Sequence, residues 1–382
     1  MSLVVNTAPV PTEITDPINA RILAVSEDRI SGFVPEPFAQ IAFAAELTED
    51  LVIERLRGML AAGVIRRIRQ TLMATNLAPG ALVAWRVPPE KLDTAFTYMA
   101  KDDPFSGHVV IRSTDAETPG AAYRLWTTLK VPQGFSIARH CAVVADRIGA
   151  DGWKAMPALR LFSLGVGHVR RKGLEPGSRS DEPGVVHDTV VVELSPLEWR
   201  VLEPFKRELT LDEVGPGLWE RRARDAGVAY TDFVRTARGL VERKVVGRFS
   251  TSLEHVKPTA GGERVTRYNA LFHWRVPPGR ELDAGREVGR HHVMTHAYWR
   301  EGGPEFAGVN IMGVAHGTEK EMVLAHKAAI DAHLEEAGIP VDYTNVFWGG
   351  RSEIKPSEIS PQAYRAWCVK NGVEPEAMRG DG

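Results

Sequence analysis

Cysteine is almost absent from this chain, which has two cysteines, Cys141 and Cys368, among 382 residues. Two isolated thiols exclude a disulfide framework and a cysteine-based zinc site, and they favour a reducing cytoplasm. Apolar runs long enough to span a bilayer are missing, and the first residues lack the basic and apolar regions of a signal peptide. The net charge is only −2, without a strongly basic tract, so nonspecific binding to a polyanion such as DNA has little electrostatic support. These absences predict a cytoplasmic protein.

What the chain does have is an internal repeat. Its composition, 43% hydrophobic and 25% charged, is that of an ordinary globular protein, and its length predicts two or more domains. The pentapeptide WRVPP begins at Trp85 and again at Trp274. Two further blocks recur in the same order: VIRRI (64–68) as VVGRF (245–249), and SGHVVIR (106–112) as MTHAYWR (294–300). Three ordered matches predict duplicated halves with loop insertions.

Each half is predicted to start with a winged helix-turn-helix. In the first half, apolar residues from Leu51 to Leu60 follow helical spacing, Thr48 caps the helix and Gly63 ends it. The next stretch, VIRRIRQTLMA, is typical of a wing strand. A strand–helix–strand–strand–helix–strand order follows, which in the second half falls at 266–276, 278–290, 293–300, 307–315, 318–337 and 341–349.

The predicted fold class is therefore α+β, with duplicated winged helix-turn-helix and ferredoxin-like βαββαβ units. The expected boundaries are 12–75 and 191–258 for the winged helix-turn-helix domains, 76–170 and 264–360 for the ferredoxin-like lobes, 171–190 for a linker rich in charge, Gly and Pro, and 361–382 for a C-terminal tail. We expect the halves to pair as a pseudo-dimer within the chain, and a further homodimer is left open.

This layout is that of Lrp/AsnC-type transcriptional regulators, and four second-half motifs make the chain resemble the siroheme decarboxylase family, which shares it. The motifs are GRFSTSLEH (247–255), HWRVPP (273–278), THAYWR (295–300) and NIMGVAHG (310–317). The resemblance covers residues 12–170 and 190–360, as in the fused two-subunit members. It implies a carbon–carbon lyase of heme or heme d1 biosynthesis that removes CO2 from ring acetates of siroheme to give 12,18-didecarboxysiroheme. The first half is further from the family pattern, with Lys130 where His316 stands in its twin.

Alternation along two predicted strands points to one polar face, independently of that resemblance. Residues two apart in a strand share a face, so the alternate residues from Met294 to Arg300 should lie together. The alternate residues from Asn310 to His316 should do the same on the next strand. If the polar faces match, the side chains that converge on one surface are His296, Tyr298, Arg300, Asn310 and His316.

The chemistry of the implied substrate assigns candidate roles. Siroheme has eight carboxylates, so its binding needs several Arg and Lys side chains. Loss of CO2 leaves a carbanion that the macrocycle delocalises, and a histidine, which titrates near neutral pH, suits the protonation that follows. The predicted catalytic residues are His296 and His316 for the acid–base step, with Arg248 and Arg300 as a clamp on the reacting acetate. The predicted substrate-binding residues are Arg67, His108, Arg112, Arg124, Lys130, His255, Tyr298 and Asn310.

Other residues are interpreted in structural or supporting roles. Lys130 is expected to hold a carboxylate without transferring a proton, because the ordinary pKa of lysine is about 10.4. No cofactor beyond the iron tetrapyrrole substrate is expected, since no pyridoxal, thiamine or nicotinamide motif is present, and no metal site beyond the substrate iron is expected. His291 and His292 are interpreted as the cationic end of a helix, and His326 and His333 as an exposed face of the last helix.

Two other functions stay open at the level of sequence. The first is an Lrp/AsnC-type DNA-binding regulator, although the recognition helix in 48–63 has nearly balanced charge and few base-reading side chains. The second half also interrupts its helix-turn-helix with Gly-Pro-Gly, so a packing role is favoured and nucleic acid is not the expected partner. The second is a non-catalytic heme or tetrapyrrole sensor on the same scaffold. A single strand histidine is more often structural than catalytic, and the arginines of 66–69 can equally form a solvated wing.

Overall fold

The computed structural model describes residues 10–73, 76–164, 173–187, 191–254 and 266–380. These residues form two compact units, and each unit draws on both halves of the sequence. The helical unit contains the described residues up to 73 and from 193 to 254. The sheet unit contains 76–164, 173–187, 191–192 and 266–380. None of the described helices is long and apolar enough to cross a membrane.

The elements of the first half follow the predicted order. They are α1 (Pro17–Ser26), β1 (Ile30–Ser31), α2 (Pro37–Ala45), α3 (Glu49–Ala61), β2 (Ile65–Leu72), β3 (Gly80–Arg86), α4 (Leu92–Lys101), β4 (Ser106–Ser113), β5 (Leu125–Lys130), α5 (Ile137–Ile148), β6 (Gly152–Pro157) and β7 (Arg160–Leu164). The predicted cap is confirmed, since Thr48 Oγ1 accepts a hydrogen bond from the Leu51 amide. Gly63 follows the helix with a φ of 71°, a value that favours glycine.

The second half repeats this order. Its elements are α6 (Pro196–Lys206), α7 (Leu218–Asp225), α8 (Tyr230–Glu242), β8 (Val246–Leu253), β9 (Tyr268–Arg275), α9 (Glu281–Gly289), β10 (Met294–Trp299), β11 (Ile311–Gly317), α10 (Lys320–Glu336), β12 (Tyr343–Ile354) and α11 (Pro361–Lys370). Ser195 and Glu198 form a capping box at the start of α6. The six predicted lobe elements are all present, but β12 extends beyond the predicted end at 349 because its last residues pair with β4 of the first half.

The two wing strands of the helical unit pair with each other. β2 lies antiparallel to β8, and the short β1 covers the other edge of β8. The paired wings therefore join the two winged helix-turn-helix domains into one unit, in which each wing supplies the hydrogen-bonding partner that an edge strand lacks.

A nine-stranded antiparallel sheet forms the centre of the sheet unit, in the order β6-β3-β5-β4-β12-β9-β11-β10-β7. The last strand of each half crosses to the other half, since β12 pairs with both β9 and β4, and β7 pairs with β10. β6 and β7 lie at opposite ends of this order, yet only two residues separate them in the sequence. The sheet must therefore curl round until its two ends meet.

The curled sheet has an outer face and an inner face. Two apolar clusters on the outer face pack under the helices, one for each half, around Trp85 and around Trp274. A third cluster fills the inner face and includes Trp126, Phe306 and Phe347, with Leu271 and Met312 from β9 and β11. Polar residues that point inward must therefore lie beside an apolar core that contains residues of both halves.

The predicted linker and tail are both tied to the sheet unit. In the connecting segment, the Ser180 and Gly184 amides donate to the carbonyls of Arg290 and Arg286. Helix α11 lies within the predicted tail, and Tyr364, Trp367 and Cys368 are buried in the first-half outer cluster. Val186 of the connecting segment packs against the second-half outer cluster, so both segments cover apolar surface of the lobes.

Candidate active site

Three predicted side chains form a ladder on the inner face of β10. The rings of His296 and Tyr298 stack with centroids 6.0 Å apart and planes 12° from parallel. Arg300 also lies over the Tyr298 ring, with Cζ 4.4 Å from the ring centroid. Burial raises the pKa of the Tyr298 hydroxyl and lowers the pKa of Arg300. The predicted alternation is confirmed for these three residues.

The start of β10 corrects the predicted alternation. The register of β10 against β11 shifts between Met294 and His296, so Thr295 is the extra residue of a β-bulge. Met294 packs in the outer cluster with Ala297, and it does not share the face of His296 as predicted. The bulge leaves the Thr295 side chain free to face the end of β11.

Thr295 joins the two predicted catalytic histidines. Its Oγ1 lies 3.2 Å from His296 Nδ1 and 3.4 Å from His316 Nδ1, and its hydrogen is donated to the Val314 carbonyl at 2.9 Å. Because that hydrogen is used, the hydroxyl can only accept from the two rings. The structure thus brings His296 and His316 together, and we call them the histidine pair.

Asn269 is a site residue that the sequence interpretation missed. It pairs with His316 across β9 and β11, and its Nδ2 donates to His316 Nε2 at 3.0 Å. In this amide orientation a neutral His316 carries its hydrogen on Nδ1, facing Thr295, whereas the reversed amide, with Oδ1 as the acceptor, suits the charged ring. Asn269 Oδ1 is buried and has no hydrogen-bond partner among the described residues. The sequence does contain a signal for Asn269, because Asn269, Leu271 and His273 are spaced two residues apart along β9 and therefore share one face of the sheet.

Asn310 does not join the histidine pair. Its Oδ1 accepts from the Val276 amide and its Nδ2 donates to the Val276 carbonyl, both at 2.9 Å. It lies just before β11, whereas His316 lies near the other end of that strand. The amide therefore fixes the turn after β9, which corrects the predicted convergence.

Arg112 and Arg300 end the same repeated block in the two halves, and both are buried in the sheet unit. Arg112 Nη1 donates to the Phe347 carbonyl at 3.3 Å, and Arg300 Nη1 donates to the Met156 carbonyl. Arg112 therefore reaches β12 of the second half, and Arg300 reaches β6 of the first half. Burial lowers the pKa of Arg112 to about 10, and its Nε is buried without an acceptor among the described residues. Neither guanidinium has a carboxylate partner within the described ranges.

Lys130 differs from the prediction in its acid–base behaviour. It is half-buried at the end of β5, where burial and the nearby charge of Arg300 lower its pKa to about 7. No hydrogen bond or ion pair of its ammonium occurs among the described residues. The expected role of Lys130 in holding a carboxylate rested on the pKa of a lysine in water, and its pKa in the folded protein lies well below that value.

Two further first-half residues lie near this face. His108 Nε2 lies 2.7 Å from Ser352 Oγ of β12, and the His108 amide donates to Thr128 Oγ1 at 2.8 Å. Arg124 is exposed, and its Nε donates to the Arg112 carbonyl at 2.8 Å. Arg124 thus retains donors that face solvent.

The remaining predicted residues belong to the helical unit. Arg67 is buried on β2 and bonds to Glu208 Oε1 at 3.0 Å. Arg248 is half-buried on β8, where burial lowers its pKa against the opposing effect of Asp28 and Glu27. His255 lies outside the described residues.

His273 is a second inner-face residue that the sequence interpretation did not single out. Its ring is 1% exposed and packs 4.9 Å from Phe347. Burial, with the charge of Arg112, lowers its pKa to about 3, so the ring is neutral. A neutral histidine beside Arg112 adds no positive charge to this face.

The other histidines are more buried than predicted. His326 and His333 are 7% and 8% exposed, so the predicted exposed face of α10 is wrong. His333 Nε2 lies 2.6 Å from Glu287 Oε2. Burial, with His333 nearby, lowers the pKa of His291 to about 3, so this ring does not supply the predicted cationic helix end. Among the described residues, no cluster of three or more His, Cys, Asp or Glu side chains could hold a metal ion.

Two stretches of the chain match protein families. Residues 78–163 match an AsnC-like ligand binding domain, and residues 33–66 match a siroheme decarboxylase NirDL-like HTH domain. The siroheme decarboxylase beta subunit of Desulfovibrio desulfuricans is 33% identical over 112 residues, which are 29% of this chain and 67% of that protein. The alpha subunit from the same organism is 31% identical over 135 residues, which are 35% of this chain and 72% of that protein.

Solved structures of similar fold extend over nearly the whole chain. The crystal structure of the siroheme decarboxylase NirDL is similar with a TM-score of 0.63 at 18% identity, covering 92% of this chain and 97% of that one. Its co-complex with an iron-uroporphyrin III analogue gives a TM-score of 0.63 at 17% identity, covering 92% and 99%. At this identity the likeness concerns the fold, and it confirms the predicted fold class.

Proposed function

Since the chain belongs to the siroheme decarboxylase family, whose members are carbon–carbon lyases, we propose that it decarboxylates ring acetates of siroheme to 12,18-didecarboxysiroheme. The product serves heme or heme d1 biosynthesis, and the iron tetrapyrrole is the substrate, with no further cofactor. A solved relative in co-complex with an iron-uroporphyrin III analogue supports this substrate class.

The observation that carries the proposal is a group of buried and half-buried cations without carboxylate partners among the described residues. Within the described residues, the ammonium of Lys130 and the guanidinium groups of Arg112 and Arg300 lack such partners, although burial disfavours the charged form of each. Burying a charge costs free energy unless an opposite charge compensates it. A ligand with several carboxylates supplies that compensation, and siroheme is such a ligand.

The reaction requires one bond to break and one proton to move. The bond between the acetate methylene and its carboxylate breaks, CO2 leaves, and the electron pair passes into the conjugated macrocycle. A proton then adds to the methylene carbon and leaves a methyl group. Atoms and electrons balance without an oxidant or reductant, so the protein must place the acetate and provide the proton.

The histidine pair is proposed to provide that proton. His296 and His316 face one shared hydroxyl, and Asn269 orients His316, so both rings are held in place. A histidine in its charged form gives its proton to the methylene carbon and regains one from water. Arg300, close to Tyr298, is proposed to bind the reacting acetate.

The experiment is anaerobic incubation of the purified protein with siroheme, followed by mass analysis of the product. Loss of two CO2 molecules is expected. His296→Ala and His316→Ala should each slow decarboxylation by about 10²–10⁴-fold while the absorbance of bound siroheme persists. The matched control is His187→Ala, because this exposed histidine meets Leu161 through its backbone. Binding without a mass change would make the protein a sensor, and wild-type turnover in both alanine variants would remove the proposed site.

A further inference from the structure

The two halves place different groups at one equivalent position of the sheet. In the second half, His316 near the end of β11 pairs with Asn269 of β9. In the first half, Lys130 at the end of β5 pairs with Gly80 of β3. A register irregularity lies beside each position, between Met294 and His296 in β10 and between Ser106 and Val109 in β4. The local backbone is thus repeated while the titratable group changes from imidazole to amine.

Gly80 provides the space that Lys130 occupies. A methyl group at Gly80 would lie 2.6 Å from Lys130 Nζ and 2.8 Å from its Cδ, closer than such contacts allow. The lysine stem therefore lies flat across this glycine and keeps the ammonium beside the sheet. In the second half, the Asn269 side chain stands at the corresponding place and contacts His316. Both residues of the strand pair therefore differ between the halves: Lys130 and Gly80 in the first half stand where His316 and Asn269 stand in the second.

The surroundings of Lys130 give its amine two accessible protonation states. Burial is the main cause of its lowered pKa of about 7, and the positive charge of Arg300 adds to it. No carboxylate acts against these effects, and the ammonium has no hydrogen-bond acceptor within the described ranges. Near neutral pH, both the ammonium and the free amine are populated, which is the condition for efficient general acid–base catalysis.

We propose that Lys130 is the general acid of a second acid–base station, which serves one of the two reacting acetates while the histidine pair serves the other. This inference rests on the proposed siroheme decarboxylation. At the second station, the bond between methylene and carboxylate breaks, CO2 leaves, and the Lys130 ammonium gives its proton to the methylene carbon. The resulting amine regains a proton from water, so no other reactant is needed.

The test follows how many CO2 molecules each variant removes from siroheme. Lys130→Arg keeps a positive charge for binding but has no proton to give near neutral pH. We expect it to accumulate the product that has lost one CO2, with one of the two steps slowed by about 10²-fold or more. Lys130→His should restore the second loss, because it copies the group of the other half. The matched control is Lys154→Arg, since Lys154 is engaged with Glu305 at 3.3 Å.

The outcomes separate this inference from the proposed function. A wild-type protein that removes no CO2 would overturn both. An active wild type with an equally active Lys130→Arg variant, or with both steps slowed equally, would overturn only the second station. The ligand-free protein gives an independent readout through NMR of lysine labelled with ¹³C at Cε. One signal should titrate near pH 7 and be missing in Lys130→Arg, and titration of every lysine only near the ordinary pKa of about 10.4 would also remove the station.

Discussion

At the scale of single residues, Thr295 holds the histidine pair through one oxygen atom. Its hydroxyl donates to a backbone carbonyl and faces Nδ1 of both rings. Residues that orient catalytic groups in this way typically contribute without touching the reacting atoms. The bulge in β10 is what allows this threonine to face the end of β11.

Replacing Thr295 with valine should therefore slow decarboxylation by about 10- to 100-fold, by analogy with groups that orient metal ligands. Valine has nearly the same shape, so the unfolding free energy should fall by only about 1 kcal/mol for the lost hydrogen bond. The pH profile of kcat should also shift, because each ring loses a neighbour of its Nδ1. Steady-state kinetics across pH measures both effects.

The control for this change is Thr344→Val, because Thr344 also donates its hydroxyl hydrogen to a strand carbonyl, that of His273, at 2.9 Å. This variant should retain the wild-type kcat and pH profile. Equal losses in the two variants would mean that Thr295 acts only through strand stability.

At the scale of elements, the close contact of α9 with β7 depends on a glycine. A methyl group at Gly285 would lie 2.1 Å from Cε2 of Phe162, which belongs to the second-half outer cluster. Glycine ordinarily weakens a helix interior, so its presence here is explained by the space that the phenylalanine ring needs. This contact connects a first-half strand to a second-half helix.

Gly285→Ala should lower the unfolding free energy by about 1–3 kcal/mol, because the overpacked ring must move. The matched control is Gly239→Ala in α8, where an added methyl meets no atom within 4 Å. That change should raise the unfolding free energy by about 0.5–1 kcal/mol. Urea unfolding followed by tryptophan fluorescence compares the two, and a stabilised Gly285→Ala protein would contradict the proposed packing.

At the scale of the whole molecule, the sheet unit contains two buried neutral histidines, which should lower the unfolding free energy at acid pH. His273 and His291 have folded pKa values of about 3, whereas the ordinary value of 6.5 applies once they are unfolded. Between these values the unfolded chain binds protons that the folded chain does not. The unfolding free energy must therefore fall as the pH drops below 6.5, and above that pH no such loss occurs.

Each of the two histidines should remove at most about 1.4 kcal/mol of unfolding free energy per pH unit in this range. Urea unfolding at pH 7.5, 6.0 and 5.0 measures the slope, in a range above the ordinary pKa of carboxylates. His273→Phe should flatten the slope, since phenylalanine does not titrate, whereas His187→Phe should leave it unchanged. The same slope in wild type and His273→Phe would show that this ring is protonated in the folded protein.

The sequence by itself determined the order of the helices and strands, the duplication, and the common face of the three side chains along β10. Apolar spacing from Leu51 to Leu60 fixes α3, because helical period is a local property of neighbouring residues. Alternation places His296, Tyr298 and Arg300 on one face for the same reason, since strand geometry repeats every two residues. The motifs from 247 to 317 indicated the siroheme decarboxylase family, to which the chain belongs.

Only the tertiary structure decided which of these groups meet and in what state. The bulge at Thr295, the contact of Asn269 with His316 and the exchange of β7 and β12 between the halves arise from pairing over long stretches of sequence. The pKa of Lys130 depends on burial and on Arg300, which lies 170 residues further along the chain. Desolvation and charge act through space, so residue type and spacing in the sequence cannot give their size.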